Sequence, residues 1–421
     1  VVINTISERM TAMPTLPKYK HFDGRHWETG TVQNYFAYSG VKAPHTGQPY
    51  TEAMLMGVSG GVLVGYFSFA YEGHDPHVAI LTRNTFNPLD TLLVRLGVIQ
   101  HLQQTPNAKK GLQNLLDALD SGSPAIVWAD AFSLPYNGLD SRQDWWAMFP
   151  ILIYGYDDEA DTVYIADRSA QPFTITTGEL AAARGRVKKD KHRLLTLEPP
   201  DSGKLPVAVQ QGIWDCLKRY TEAPVKNARA NFGLAAFQRW AAVLTKPKDK
   251  QSWAKAFPPG AKMYAGLTSA FYRFGLGAVG AQGDRELYAG FLDEASVVLS
   301  RPELKESAEL FRGCAKGWSK LGLALLPNRV PPFKETRELL TRRRKLFVEK
   351  GGKALAETRK VNTRLEAIRA EMEKTFPLTA NEAAALREQI AERVLKVGEQ
   401  EKAAYESLQA AMVDKQGRAK K

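Results

Sequence analysis

The sequence predicts an α+β domain first, an all-α domain after it and a helical-hairpin arm at the end. Three observations carry this. Short apolar runs rich in β-branched and aromatic residues, broken by polar turns, are concentrated before about Pro200. From Val207 to Pro327 apolar residues recur at three- and four-residue spacing almost throughout, the period of a buried helical face. After that, two stretches carry apolar seams separated by a short break. The divisions read as residues 1–203, 204–334 and 335–421, and 421 residues allow two or three domains with separate cores.

In the first region, "GRHWETG" (Gly24–Gly30) is a polar loop running into a helix. "GVLVGYFSFAY" (Gly61–Tyr71) reads as a strand. "DTLLVRLGVIQHLQQ" (Asp90–Gln104) and "GLQNLLDALDSG" (Gly111–Gly122) read as helices, the second closed by Gly122. "PAIVWADAF" (Pro124–Phe132) is a strand. In "PILIYGYDDEADTVYIADRS" (Pro150–Ser169) two apolar runs flank the turn Asp157–Asp161, which makes a hairpin. "TTGELAAARGR" starts a helix, with Thr176 and Glu179 at capping-box spacing. "HRLLTLEPP" (His192–Pro200) gives a last strand and a stop.

In the second region, "NARANFGLAAFQRWAAVL" (Asn227–Leu244) and "RELYAGFLDEASVVL" (Arg285–Leu299) are amphipathic helices. In the third, Val361, Leu365, Ile368, Met372 and Phe376 form one seam. "PLT" breaks it, and Thr379 with Glu382 starts another helix. Its seam is Ile390, Val394, Val397, Ala404, Leu408 and Ala411, with Glu401 filling one seam position. An antiparallel hairpin follows, packed on the body or forming a homo-oligomer interface.

Composition narrows the function. The two cysteines, Cys216 and Cys314, both lie in helical sequence, which excludes a disulfide framework and fits a reducing cytoplasm. No apolar run approaches the ~18 residues of a membrane span. The opening "VVINTISERMTAMPTLPKYK" lacks the basic-then-apolar order of a signal peptide. A net charge of +12 favours an acidic partner. The basic runs "KKDK" (Lys188–Lys191), "RRRK" (Arg342–Lys345) and "KQGRAKK" (Lys415–Lys421) are short, scattered and poor in interleaved aromatics. They predict a solvated surface rather than a nucleic-acid interface. "GVSGGVLVG" has neither the dinucleotide spacing nor a Lys-Ser/Thr ending, so no nucleotide cofactor is expected. "HDPH" (His74–His77) is a loop one ligand short of a metal site, and no metal is expected.

Four segments of the first region have a meaningful order: "GRHWETG", "EAMLMGVSGGVLVGYF" (Glu52–Phe67), "FPILIYGYDDE" (Phe149–Glu159) and "VYIADRS" (Val163–Ser169). A loop enters a helix, a later strand leads into Gly-Tyr-Asp, and the next strand ends in Asp. Papain-like cysteine enzymes use this order. Their thiol sits at a helix N-terminus, where the dipole favours thiolate. A histidine on the later strand is the base, and an Asp or Asn on the next strand orients it. Together with "RELYAGFLDEA" and "LTANEAAALREQIAER", these segments resemble the family of butirosin biosynthesis protein H over nearly the whole chain. The resemblance implies a papain-like α+β domain similar to bacteriocin-processing peptidases, then a helical domain of undefined function. The family's named member looks like an acyltransferase of bacterial secondary metabolism. It moves an aminoacyl group from an acidic acyl carrier protein to an amine of an aminoglycoside.

Position by position, the implied nucleophile falls on Trp27. The implied base, six residues before Gly155, falls on Phe149. The implied orienting acid falls on Asp167, which is retained. Indole is not a nucleophile and phenyl accepts no proton. His26 and Glu28 flank Trp27, but neighbours on a helix start point about 100° apart. The expectation is a catalytically degenerate protein whose cleft is lined by His26, Glu28, Gly60, Gly61, Trp145, Trp146 and Tyr156. Trp27 and Phe149 would plug that cleft, wall a binding site or pack as core. It would bind a peptide, an acidic carrier protein or another protein without turnover. Two alternatives stand beside it: an active amide-forming acyltransferase relying on proximity and Asp167, and an assembly protein built through the arm.

Overall fold

Alternating apolar runs become strands and amphipathic runs become helices, and the computed structural model describes residues 15–139, 146–275 and 282–413. In chain order the first elements are α1 (Glu28–Tyr38), α2 (Glu52–Val58), β1 (Val62–Phe69), β2 (His77–Arg83), α3 (Pro88–Arg95), β3 (Gln100–Gln103), α4 (Ala108–Asp120) and β4 (Ala125–Asp130). Then come β5 (Met148–Asp157), β6 (Thr162–Ala166), β7 (Phe173–Ile175), α5 (Thr177–Gly185) and β8 (Leu194–Leu197). The rest is helical: α6 (Leu205–Thr221), α7 (Gly233–Thr245), the single turn α8 (Trp253–Ala256), α9 (Ala261–Gly275), α10 (Arg285–Val298) and α11 (Leu304–Leu325). The last helices are α12 (Pro331–Lys350), α13 (Leu355–Lys374) and α14 (Ala380–Met412). Among the described residues no helix is long and apolar enough to cross a membrane.

The chain divides into two compact units, and the division is not linear in sequence. One comprises the chain up to Tyr50, Gly97–Asp201 and Leu346–Thr358; the other comprises Thr51–Leu96, Ser202–Lys345 and the chain from Arg359. The first unit is an antiparallel sheet in the order β3-β8-β4-β5-β6-β7. Val127, Ile151, Ile153, Val163 and Ile165 form one buried face with Leu115 of α4 and Leu180 of α5. The expected Pro150–Ser169 hairpin is present, closing at Asp157 opposite Thr162. So is the Thr176–Glu179 capping box.

Three expectations need correction. The helix predicted across Asp90–Gln104 stops at Arg95. Gly97 takes a left-handed φ of +66°, which ends the helix, and Gln100–Gln103 becomes an edge strand. The helix predicted from Asn227 begins at Gly233 instead, after a kinked 3-10 stretch over Lys226–Asn231. The described elements of residues 204–334 are all helical, as expected, but a first-region segment groups with that helical unit. The β1–β2 hairpin joins it, because the inner face Val64, Tyr66, Val78 and Ile80 shares a core with Phe237, Trp240 and Trp318.

The arm helices α13 and α14 follow the expected break, with the Thr379–Glu382 box formed. The α14 seam is taken up by α7 and α11 rather than by α13. Ile390, Val394, Val397, Ala404, Leu408 and Ala411 are buried within the chain, so an oligomer through the arm would have to use other residues. Glu401 is buried with them because Arg285 meets it. Arg285 Nε donates to Glu401 Oε1 at 2.7 Å and Nη2 to Oε2 at 3.2 Å. Trp318 Nε1 donates at 2.6 Å, and the Tyr220 hydroxyl donates to the second oxygen.

Candidate functional site

The elbow into α1 is built by short-range constraints. Asn34 Oδ1 accepts the backbone N–H groups of Asp23 at 3.0 Å and Gly24 at 3.1 Å, folding the loop back on its helix. Gly24 then lies against Gly30; a Cβ on Gly24 would sit 2.2 Å from the Gly30 carbonyl oxygen, so only glycine fits. Thr31 ties the helix to β5 by donating to the Pro150 carbonyl at 3.4 Å. These contacts set Trp27 as the N-cap residue of α1.

Phe149 enters at the start of β5, opposite the small Ala129 of β4. Its ring stacks on Trp27, with centroids 3.8 Å apart and planes 7° from parallel. Arg168 closes the other contact of Trp27, its guanidinium carbon 4.0 Å from that ring centroid. It also lies 4.9 Å from the Phe347 ring centroid. Arg168 has a left-handed φ of +47°, a conformation that costs a non-glycine residue about 1–2 kcal/mol. Its contacts offset that cost. Nε and Nη2 donate to the two Asp167 oxygens at 2.8 Å each, and Nη2 donates to Asn137 Oδ1 at 2.7 Å. The Tyr136 hydroxyl donates to Asp167 Oδ2 at 3.1 Å. Burial first, then the negative Asp167, pushes the Tyr136 phenol well above its ordinary value, so it stays a donor.

The structure thus joins Trp27, Phe149 and Asp167 through Arg168. It also brings in Tyr136, Asn137 and Phe347. Val348 anchors the Phe347 segment, its carbonyl accepting from Ala170 N at 2.7 Å and from the Ser169 hydroxyl at 3.1 Å. Nothing in the local sequence pattern points to Phe347, which lies far along the chain. Arg168 was visible as a neighbour of Asp167, but its contact with Trp27 was not.

The other candidates scatter. His26 is buried and its carbonyl accepts from Gly30 N at 3.1 Å; Glu28 is half-buried in the first turn of α1. Tyr156 belongs to the sheet core with Ile151 and Ile153, after a register shift in β5. Trp146 is 51% exposed, under the Lys189 ammonium at 5.0 Å. Trp145 lies outside the described residues. Gly60 and Gly61 belong to the second unit, where a Cβ on Gly61 would sit 2.5 Å from the Tyr288 ring. Both cysteines are also there and buried. Burial pushes the Cys216 thiol up to about 11 and raises Cys314 as well, the reverse of nucleophile activation. Among the described residues no three His, Cys, Asp or Glu side chains are placed to hold a metal ion.

Comparison with known proteins bears out the family resemblance. Residues 26–168 match the family model described as butirosin biosynthesis protein H, N-terminal. Residues 179–332 match a domain of unknown function, DUF4872. The matched ranges end before α13 and α14, so the arm lies beyond them. No curated protein matches the chain. The first match opens at His26, beside Trp27, and closes at Arg168, so it brackets the stacked site. On these two matches, the chain carries a butirosin biosynthesis protein H-like N-terminal domain followed by a DUF4872 domain.

Proposed function

We propose that the chain is a catalytically degenerate member of its family. In this reading a papain-like N-terminal domain binds a peptide, a carrier-protein arm or another protein and does not turn it over. The observation that supports it most is the Trp27–Phe149 stack at 3.8 Å, at the positions where a nucleophile and its base would face each other. Covalent acyl transfer needs an activated nucleophile. Indole N–H only donates, and a phenyl ring takes no proton. The stack instead offers a half-buried apolar wall.

An active transferase using Asp167 as base is the weaker reading. The Asp167 side chain has 0% exposure, and both its oxygens are engaged by Arg168. A substrate amine would have to displace a buried ion pair to reach it.

The test compares the unaltered chain with Trp27→Cys/Phe149→His, each incubated with an acyl-pantetheine thioester and read by intact mass. The unaltered chain is expected to stay unmodified. The double variant is expected to gain an acyl adduct, and its new thiol to outpace an ordinary cysteine with iodoacetamide, because a helix start lowers thiol pKa. Thioester consumption by the unaltered chain would end the proposal.

A further inference from the structure

We propose that the first unit carries a lysine face that docks an acidic protein. Five exposed lysines form it: Lys109 and Lys110 in the first turn of α4, and Lys188, Lys189 and Lys191 in the loop between α5 and β8. The two segments are locked together. Thr105 N donates to the Lys191 carbonyl at 2.7 Å. Arg184, itself buried, donates to the Gly111 carbonyl at 3.3 Å and the His192 carbonyl at 2.8 Å. His192 packs so tightly on Gly111 that a Cβ there would lie 2.7 Å from the His192 Cβ.

The face stays net positive, with the half-buried Asp190 in the same loop as Lys188, Lys189 and Lys191. Lys109, Lys110, Lys188 and Lys191 have no carboxylate partner among the described residues. In the second unit Lys218, Lys334 and Lys402 each pair with a glutamate four residues on. The first turn of α4 holds no acidic residue, so two lysines stand where the helix dipole already gives a positive end. That arrangement works against the helix and builds positive potential outward.

One apolar side chain adjoins the charge: Trp146, 51% exposed, beneath Lys189; Leu102, 50% exposed, lies on the edge strand β3, which pairs with β8. A charged rim with an apolar element suits a protein surface. Nucleic acid fits less well. Trp146 is a single exposed ring with Lys189 over one face, not a row of rings on which successive bases could stack, and lysines lack the fork that reads phosphate bidentately. Trp146 lies just before β5, the strand that starts at the Phe149 stack. The proposal does not depend on whether that site is catalytic.

Fluorescence anisotropy tests it, with a labelled amphipathic helical peptide whose glutamates flank a leucine stripe, at about 0.15 M salt. Lys109→Glu/Lys110→Glu/Lys188→Glu/Lys191→Glu should weaken binding roughly tenfold or more. Trp146→Ala should weaken it about threefold. Lys218→Glu/Lys334→Glu/Lys402→Glu, on the second unit, should change it little. Circular dichroism confirms that each variant is folded. No binding, equal weakening by the second-unit control, or tighter binding to oligothymidine or phosphatidylserine vesicles would overturn the proposal. None of these outcomes bears on acyl transfer, which the thioester experiment reads separately.

Discussion

Asp167 and Arg168 are neighbours in sequence, whereas Arg285 and Glu401 come from helices 116 residues apart. Both are buried arginine–carboxylate pairs, one in each unit. In the second unit the pair is sealed on every side. Arg285 also donates to the Thr82, Gly283 and Leu63 carbonyls, and Glu401 takes Tyr220 and Trp318 besides. Burial alone would lower the Arg285 pKa, but Glu401 and then Tyr220 raise it further, so the guanidinium stays charged. In the first unit Arg168 keeps 9% exposure and turns its face to Trp27. A pair whose polar groups are all spent inside holds a fold together. A pair that presents a cationic face to half-buried rings holds a surface in shape.

The sharpest break of this comparison is Glu401→Leu. It strands Arg285 without its counter-charge, and loss of one partner of a buried pair costs about 3–5 kcal/mol. Urea unfolding should show that loss, and Arg285→Met/Glu401→Leu should recover part of it. A cost no larger than that of a surface substitution would show that the pair is not sealed.

Arg168→Met is the matching change in the first unit. The stem still packs, but among the described residues Asp167 keeps only Tyr136 as a side-chain donor. The expected cost is on the order of 2 kcal/mol, less than for Glu401→Leu because the site is not fully closed. Hydrogen exchange should place the loss in the first unit. If the two substitutions cost the same, the contrast drawn between the pairs fails.

A finer probe is a double-mutant cycle on Trp27→Ala and Phe149→Ala. Offset aromatic pairs contribute about 0.5–1.5 kcal/mol beyond burial, so a coupling near 1 kcal/mol is expected. A coupling of zero would mean that the rings are adjacent without supporting each other.

Much of the site was legible because its order along the chain is local information. Trp27 opens a helix, Phe149 opens a strand, and Asp167 ends the next strand. Glu401 was legible as an anomaly, a carboxylate in an apolar seam, but its partner was not, since pairing across 116 residues is tertiary. Phe347 escaped for the same reason. The β3 segment reads as helix because Leu92, Leu93 and Leu96 continue a helical spacing toward it, while Gly97 redirects the backbone. The segment Thr51–Leu96 reads as part of the first region because it lies between first-region segments. Its hairpin instead satisfies its apolar face in the helical unit.

The smallest expected effect is a pH dependence that separates the units. His21 and His192, both in the first unit, have pKa values lowered from 6.5. Burial is the main cause for each. Lys20 adds to it at His21 against an opposing Asp23, and Arg184 adds to it at His192. A lowered folded pKa means that the unfolded chain binds more protons between that value and 6.5. Stability therefore rises with pH through this window and levels off above it; on acidification it starts to fall just below 6.5. In the second unit the corresponding groups are carboxylates held low. At Asp215, Arg95 and Arg219 outweigh burial, and at Glu335 the Arg364 hydrogen bond leads. Their contribution is lost only as pH falls through the ordinary carboxylate range, near 4. Protection in the first unit, the ratio of intrinsic to observed exchange rate at each pH, should start to fall just below pH 6.5 while that of the second unit holds, and His192→Asn should flatten part of that slope. Simultaneous loosening of both units in that window would mean that the two histidines do not set it.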